Sequence, residues 1–328
     1  MILVTGATGF LGLHVVEDLL RHGYKVRVLV RNPLHPRLAS VRDRVTLVEG
    51  DLLDISSLEV ALRDISGIVH AAAQVSFYRP YHRQMEQVNQ TGTARLVNMA
   101  LEMGVARLVY VSSIGALGPA DKNGIIHEDC KWVPGLPGTR YGYTKYLGEL
   151  EVHRGVAEGL EAAIVNPSLI IGPGDWAQGS PALIHRIAKG MRLYPPGTNG
   201  FVGVWDVARA ARLLLESNVR RGERYVLNSE NLSFRDFFGR VAAELGKPAP
   251  KWVVPRRPAM AYGYLNELAA HLRGTHPLIT LESARTSGGL RRFSSARFQR
   301  DFGFVFERMD TVIRRTVEAY RNETTYQR

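Results

Sequence analysis

The chain has 328 residues, 45% of them hydrophobic and 22% charged, a length beyond one small domain and a composition ordinary for a globular protein. No apolar run approaches the roughly 18–20 residues that span a bilayer, and a single cysteine, Cys130, excludes an internal disulfide and any multi-cysteine metal site. The net charge of +11 leaves room for an anionic ligand, but no nucleic-acid-binding module accompanies it, and with no secretory pattern at the start the chain reads as cytoplasmic.

In chain order, residues 1–5 read as a strand, 12–22 as a helix, and 25–30 as a second strand that ends before Pro33. A third strand is expected at 45–49, a helix at 55–62, a buried strand at 67–71, a long helix at 85–103 and a fifth strand at 107–112. A helix over 141–158 and a sixth strand over 162–171 follow. Strands alternating with helical stretches are the signature of βαβ units. The fold class expected is therefore α/β, a doubly wound parallel Rossmann sheet. Beyond it, helices are expected at 181–189, 204–215, 234–245, 260–272 and 311–321, a loop at 194–200, and a strand at 224–228. Residues 1–172 with 201–228 would form the nucleotide-binding domain, and 173–200 with 229–328 a smaller α+β substrate lobe.

The segment Thr5-Gly6-Ala7-Thr8-Gly9-Phe10-Leu11-Gly12 lies between the first strand and the first helix. Glycine at 6, 9 and 12 allows a sharp turn, close approach of backbone to a pyrophosphate and tight packing of helix on strand. The helix N-terminus then offers N–H groups and a positive dipole end to the phosphates. This placement identifies a dinucleotide site, with Thr8, Phe10 and Leu11 contributing backbone. Arg31 closes the second strand, where a carboxylate would mark preference for NAD. A guanidinium there suits a 2′-phosphate and points to NADP over NAD. Asp51, followed by Leu52, is placed to accept from the adenine amino group.

Tyr141 and Lys145 stand four apart at the start of a helix and so share a face. A phenol of pKa ~10 is a weak base at neutrality, and a neighbouring ammonium favours its phenolate. Ser113, ending the fifth strand beside Ser112, is placed to donate to a substrate oxygen. The ten histidines show no ligand spacing, so no metal is expected. Cys130 reads as a plain loop cysteine.

These motifs in this order resemble the extended short-chain dehydrogenases/reductases of the NAD-dependent epimerase/dehydratase family. They are the glycine loop, Gly50-Asp51-Leu52, His70-Ala71-Ala72-Ala73, the segment around Asn89, Val111-Ser112-Ser113 and Tyr141 with Lys145. The resemblance spans nearly the whole chain. It implies Tyr141 as general acid/base, Lys145 as holder of the nicotinamide ribose and tuner of Tyr141, and Ser113 as the catalytic serine. It also implies that Ala71, Ala72 and Ala73 line the cofactor, that Asn89 stands on the cofactor side, and that Pro167 begins the segment passing the nicotinamide. The His70 side chain is expected to do nothing in the chemistry.

Within the family, residues 26–33 and the stretch from Asn166 resemble the dihydroflavonol reductase branch. Ile114-Gly115 stand where the sugar-nucleotide dehydratases carry Asp-Glu, and Asn199-Gly200 where many epimerases carry a phosphate-clamping Arg. The leading expectation is thus a reversible NADPH-dependent reduction of a small-molecule ketone or aldehyde. The alternatives are a nucleotide-sugar epimerase, with Arg285, Arg291 or Arg292 as substitute clamp, and a non-catalytic Rossmann redox sensor. Trp176, Tyr194 and Phe201, with Ser112, are candidate substrate contacts. The helices at 85–103 and 143–158 would pair across a homodimer axis, as in the family.

Overall fold

The computed structural model describes residues 1–135, 138–217, 221–273 and 280–325. Its first half runs β1 (Ile2–Thr5), α1 (Phe10–Arg21), β2 (Val26–Val30), β3 (Thr46–Glu49), α2 (Ile55–Leu62), β4 (Gly67–His70), α3 (His82–Glu86), α4 (Thr93–Glu102), β5 (Arg107–Val111), β6 (Ile125–Ile126), α5 (Arg140–Ala157) and β7 (Ala162–Pro167). The second half runs β8 (Leu169–Ile171), α6 (Pro181–Ala188), β9 (Leu193–Tyr194), β10 (Thr198–Gly203), α7 (Val204–Glu216), β11 (Glu223–Leu227), β12 (Glu230–Ser233), α8 (Phe234–Leu245), β13 (Trp252–Val253), α9 (Arg256–Arg273), α10 (Leu281–Ser287), β14 (Arg292–Phe293), α11 (Ala296–Phe302) and α12 (Met309–Thr325).

Seven strands form the central sheet in the order β11-β7-β5-β4-β1-β2-β3, with every neighbouring pair parallel. Because the pleat alternates, Ile2 and Val4 face one layer and Leu3 the other. The first layer packs Val15, Val16 and Leu19 of α1 against Val207, Ala211 and Leu214 of α7. The second packs Leu58 and Leu62 of α2 with Leu96 and Val97 of α4 and Val152 of α5. Burying each such aliphatic side chain stabilises the fold by about 1.5–3 kcal/mol. The chain leaves β1 toward β2 and β3, then returns to β4 on β1's other side. That reversal opens a crevice at the carboxyl ends of β1 and β4, where open α/β sheets bind ligands.

A second sheet, β12-β10-β8, carries the third core. There Phe201 packs with Phe237, Phe238 and Val241 of α8, Val312 and Val317 of α12, and Ile184 of α6. The helix expected at 234–245 forms over those same residues. Ser233 caps its start through the Asp236 amide, and Gly246 ends it at φ 65°.

Three expectations need correcting. The strand expected over 162–171 divides: β7 stays in the central sheet, while β8 pairs with β10 in the smaller one. An unbroken apolar run cannot show which sheet each part joins. The loop expected over 194–200 instead holds the end of β9 and the start of β10, because turn-rich residues tolerate extended backbone once partners exist. The long helix expected over 85–103 contains a π-helical turn at Gln87–Gly92, where an extra residue is accommodated beside the site. Among the described residues no helix is long and apolar enough to cross a membrane.

Candidate active site

The glycine loop turns at Gly6, whose φ of 76° suits glycine. A Cβ on Gly6 would lie 2.6 Å from the Ala72 amide nitrogen, and one on Gly12 would lie 2.0 Å from the Gly6 carbonyl oxygen. The loop therefore presses β4's end and α1's first turn together. The Gly9 amide donates to the Gly6 carbonyl at 2.8 Å. Gly9 caps α1 without a side-chain hydrogen bond, and the first turn carries no acidic residue. Phe10, Leu11 and Gly12 thus begin a helix whose positive end no side chain neutralises. Thr8 is half-buried in the loop. This cradle fits the diphosphate of a dinucleotide.

Arg31 follows β2, is exposed, and has no hydrogen-bond or ion-pair partner among the described residues. Asp51 Oδ1 accepts from the Leu53 amide at 2.8 Å, which shapes the turn. Leu52 is buried behind it, against Gly92. Ala71 and Ala72 follow β4 half-buried, their amides directed to the Thr5 carbonyl and hydroxyl, and Ala73 is exposed.

Thr139 caps α5 by accepting from the Gly142 amide at 2.8 Å, so Tyr141 lies in the first turn. The ring of Phe77 meets Tyr141 edge-on at 6.2 Å. Burial pushes the Tyr141 phenol up to about 12, a rise that the neighbouring Ser113 side chain opposes. Ser113 is oriented in turn by the Gly115 amide, which donates to its Oγ at 3.1 Å. Lys145 is buried, with its Nζ 4.2 Å from the centre of the Tyr110 ring. Burial brings its ammonium down to about 7, and Glu149 pulls it back up. The expected lowering of the phenol by Lys145 is therefore not what this geometry shows: desolvation dominates both groups, and the ammonium rests on a ring face.

Asn89 sits in the π-turn, buried. Its Oδ1 accepts from the Gln74 amide at 2.8 Å, and its Nδ2 reaches the Gln74 carbonyl at 2.9 Å and the Thr144 hydroxyl at 3.0 Å. The Thr144 hydroxyl donates to the Tyr141 carbonyl at 2.8 Å. Asn89 thereby joins the segment after β4 to the helix bearing Tyr141. His70 is not idle in the fold. Burial holds its imidazole down to about 3, between Thr5 Oγ1 at 2.7 Å and Thr93 Oγ1 at 3.0 Å. Pro167 closes β7, buried opposite Leu227.

The expected substrate contacts are not brought together. Phe201 is fully buried and stacked on Phe237 at 4.4 Å, which corrects its reading as a substrate residue: an aromatic on the inner face of β10 fills the small core. Trp176 packs on Tyr320 and donates its Nε1–H to Glu323 at 2.6 Å. Tyr194 joins the edge of the same cluster. Ser112 is buried, and its hydroxyl has no partner among the described residues.

Sequence reading missed three residues beneath the site. Asn166 Nδ2 donates to the Ser113 carbonyl at 2.9 Å and to Glu149 Oε1 at 2.6 Å, and Arg224 Nη1 pairs with Glu149 Oε2 at 3.1 Å. The available signal was spacing: Glu149 continues the face of Tyr141 and Lys145 by one more turn.

The family model described as NAD dependent epimerase/dehydratase matches residues 2–228. Over 312 residues the chain is 34% identical to the sterol demethylase protein B of Methylococcus capsulatus, covering 92% of this chain and 93% of that one. It is 32% identical to cinnamoyl-CoA reductase 1 of Petunia hybrida, over 78% of this chain and 80% of the other. The crystal structure of gox2253 superposes with a TM-score of 0.82 at 31% identity, covering 98% of each chain.

Proposed function

The chain belongs to the NAD dependent epimerase/dehydratase family of extended short-chain dehydrogenases/reductases, whose cofactor is a nicotinamide dinucleotide, and on that premise we propose a reversible, NADPH-preferring carbonyl reductase. The observation that carries this reading is the Tyr141 hydroxyl. Tyr141 lies in the first turn of α5 beside the Ser113 side chain, with the buried Lys145 one turn on and the glycine cradle at the neighbouring strand ends.

Gly6, Thr8, Gly9, Phe10, Leu11 and Gly12 would hold the diphosphate, Arg31 a 2′-phosphate, Asp51 and Leu52 the adenosine end, and Ala71, Ala72, Ala73, Asn89, Lys145 and Pro167 the nicotinamide side. The bound dinucleotide supplies or accepts hydride. Ser113 orients the substrate oxygen, and Tyr141, its proton held firmly by burial, gives that proton to the oxygen as the carbonyl is reduced. The reverse direction returns the proton to the phenolate. Lys145 would hold the ribose.

Residues 173–200 with 229–273 and 280–325 form the proposed substrate lobe, and 274–279 and 326–328 of its expected span lie outside the described residues. Support for net reduction comes from the cinnamoyl-CoA reductase similarity and from Asn199 and Gly200. Both are tied into β10 pairing with β12, which leaves no cation at the epimerase clamp position. A second reading, a nucleotide-sugar epimerase, draws on Arg291. Its guanidinium is half-buried without a carboxylate partner among the described residues, and burial disfavours its charge. An anionic substrate group would satisfy it.

We also propose a homodimer through α5, where Tyr143, Tyr146, Leu147 and Leu150 form one helical stripe, with Leu150 44% exposed. The deciding assay follows NADPH absorbance with a panel of ketones and aldehydes while product chromatography tests UDP-sugars. Net NADPH consumption by a carbonyl supports reduction. Epimer formation without net consumption promotes the second reading.

A further inference from the structure

Beneath the site the same helix face continues from Tyr141 through Lys145 to Glu149, at intervals of four residues. Glu149 is 1% exposed, and three strands close around it. From β7, Asn166 Nδ2 donates to Oε1 at 2.6 Å and with the same amide group holds the Ser113 carbonyl at 2.9 Å. From β11, Arg224 Nη1 pairs with Oε2 at 3.1 Å, and its Nη2 donates to the Glu128 carbonyl. From β5, Tyr110 lies under the Lys145 ammonium at 4.2 Å. Gly148 fits between them only because it lacks a side chain: a Cβ there would meet the Tyr110 hydroxyl at 2.1 Å.

We propose that Glu149 is a positioning residue: clamped by Asn166 and Arg224, its buried carboxylate stands one turn beyond Lys145 and favours the charged ammonium through space, and it shares with Ser113 the amide that orients that strand end. The proposal rests on the reading of Tyr141, Lys145 and Ser113 as the reacting constellation. A buried ammonium without a counter-charge is costly, and an aromatic face offsets only part of that cost. Among the described residues Glu149, one turn beyond Lys145 on the same buried face, is the carboxylate that favours its charge, through space and without a direct ion pair. The other charged or titratable groups facing this pair are His153 on α5, Tyr110 on β5, His70 on β4, Tyr141, and Arg224 on β11. Arg224 competes for the same carboxylate. Asn166 cannot compete by charge and serves geometry alone.

The test titrates Lys145 directly by NMR in full-length protein carrying 13Cε-labelled lysine. There are seven lysines, and the Lys145 signal is assigned by its loss in Lys145→Met. In the unsubstituted protein it is expected to titrate near pH 7. Glu149→Gln should raise its acid dissociation constant about tenfold or more, while Arg224→Met should lower it by freeing the carboxylate for Lys145. Opposite shifts in the two variants support the proposal, since a purely structural role would not separate them. An unchanged titration in a folded Glu149→Gln protein overturns it. If that variant does not fold, Arg224→Met decides alone: a more basic Lys145 supports the proposal, and an unchanged or more acidic one overturns it. The pH profile of NADPH-dependent reduction is read in parallel. Shifted NMR titrations with no matching shift in that profile would reject the catalytic reading of Lys145 and leave the role of Glu149 standing.

Discussion

The Nδ1 of His70 lies 2.7 Å from the hydroxyl oxygen of Thr5, joining the end of β4 to the last residue before the glycine loop. On its other side the ring meets Thr93 Oγ1, which donates to the Asn89 carbonyl at 2.7 Å. One imidazole thus connects the cofactor cradle to the π-turn. The ring serves this role uncharged, because burial opposes protonation.

That relationship sets a pH dependence. The imidazole pKa falls from 6.5 to about 3 on folding, so below 6.5 the unfolded chain binds a proton that the folded chain does not. Stability is then fully present above pH 6.5 and is lost as pH falls toward about 3, with His70 contributing a slope of up to about 1.4 kcal/mol per pH unit. Urea unfolding between about pH 6.5 and 5 should show a shallower slope in His70→Gln than in the unsubstituted protein. Equal slopes would mean the imidazole does not stay neutral on folding.

On the proposed reading, Arg31 sets cofactor choice. NADPH is expected to bind more tightly than NADH, and Arg31→Asp should reverse the order. The lost phosphate pairing amounts to roughly 1.5–3 kcal/mol, one to two decades in Kd. Fluorescence titration of both cofactors measures it, and equal affinities in the unsubstituted protein would remove the NADP assignment.

Tyr141→Phe should reduce turnover by about 100-fold or more while leaving cofactor Kd nearly unchanged, since only the proton-transferring group is removed. Lys145→Ala should harm both turnover and cofactor affinity. With its phenol pushed up to about 12, Tyr141 stays protonated through neutrality. The phenol itself therefore imposes no titration on carbonyl reduction near neutral pH, where the profile should follow Lys145, whereas alcohol oxidation, which needs the phenolate, should go on climbing with pH. Substantial activity in the Phe variant would assign the proton to another group.

The α5 stripe predicts assembly. Leu150→Arg places a charge at the middle of the proposed interface and should shift sedimentation from dimer to monomer without loss of helix content. A monomeric unsubstituted protein at micromolar concentration would reject the interface.

Local chemistry wrote much of this molecule into its sequence. The glycine loop, the short apolar strands, α8 with its Ser233 cap, and the Tyr141–Lys145 spacing are all short-range features, set by steric and hydrogen-bonding rules that act within a few residues. Their order along the chain also made the family resemblance legible. Tertiary structure alone decided which sheet each half of the 162–171 run would join, because pairing partners lie far away in sequence. It also decided that Phe201 fills a core and does not line a pocket, and that Lys145 rests on Tyr110. The Glu149–Asn166–Arg224 cluster belongs to the same class. Its members stand on a helix and two strands, and their meaning arises only when burial removes water and leaves each charge to find its partner in the protein.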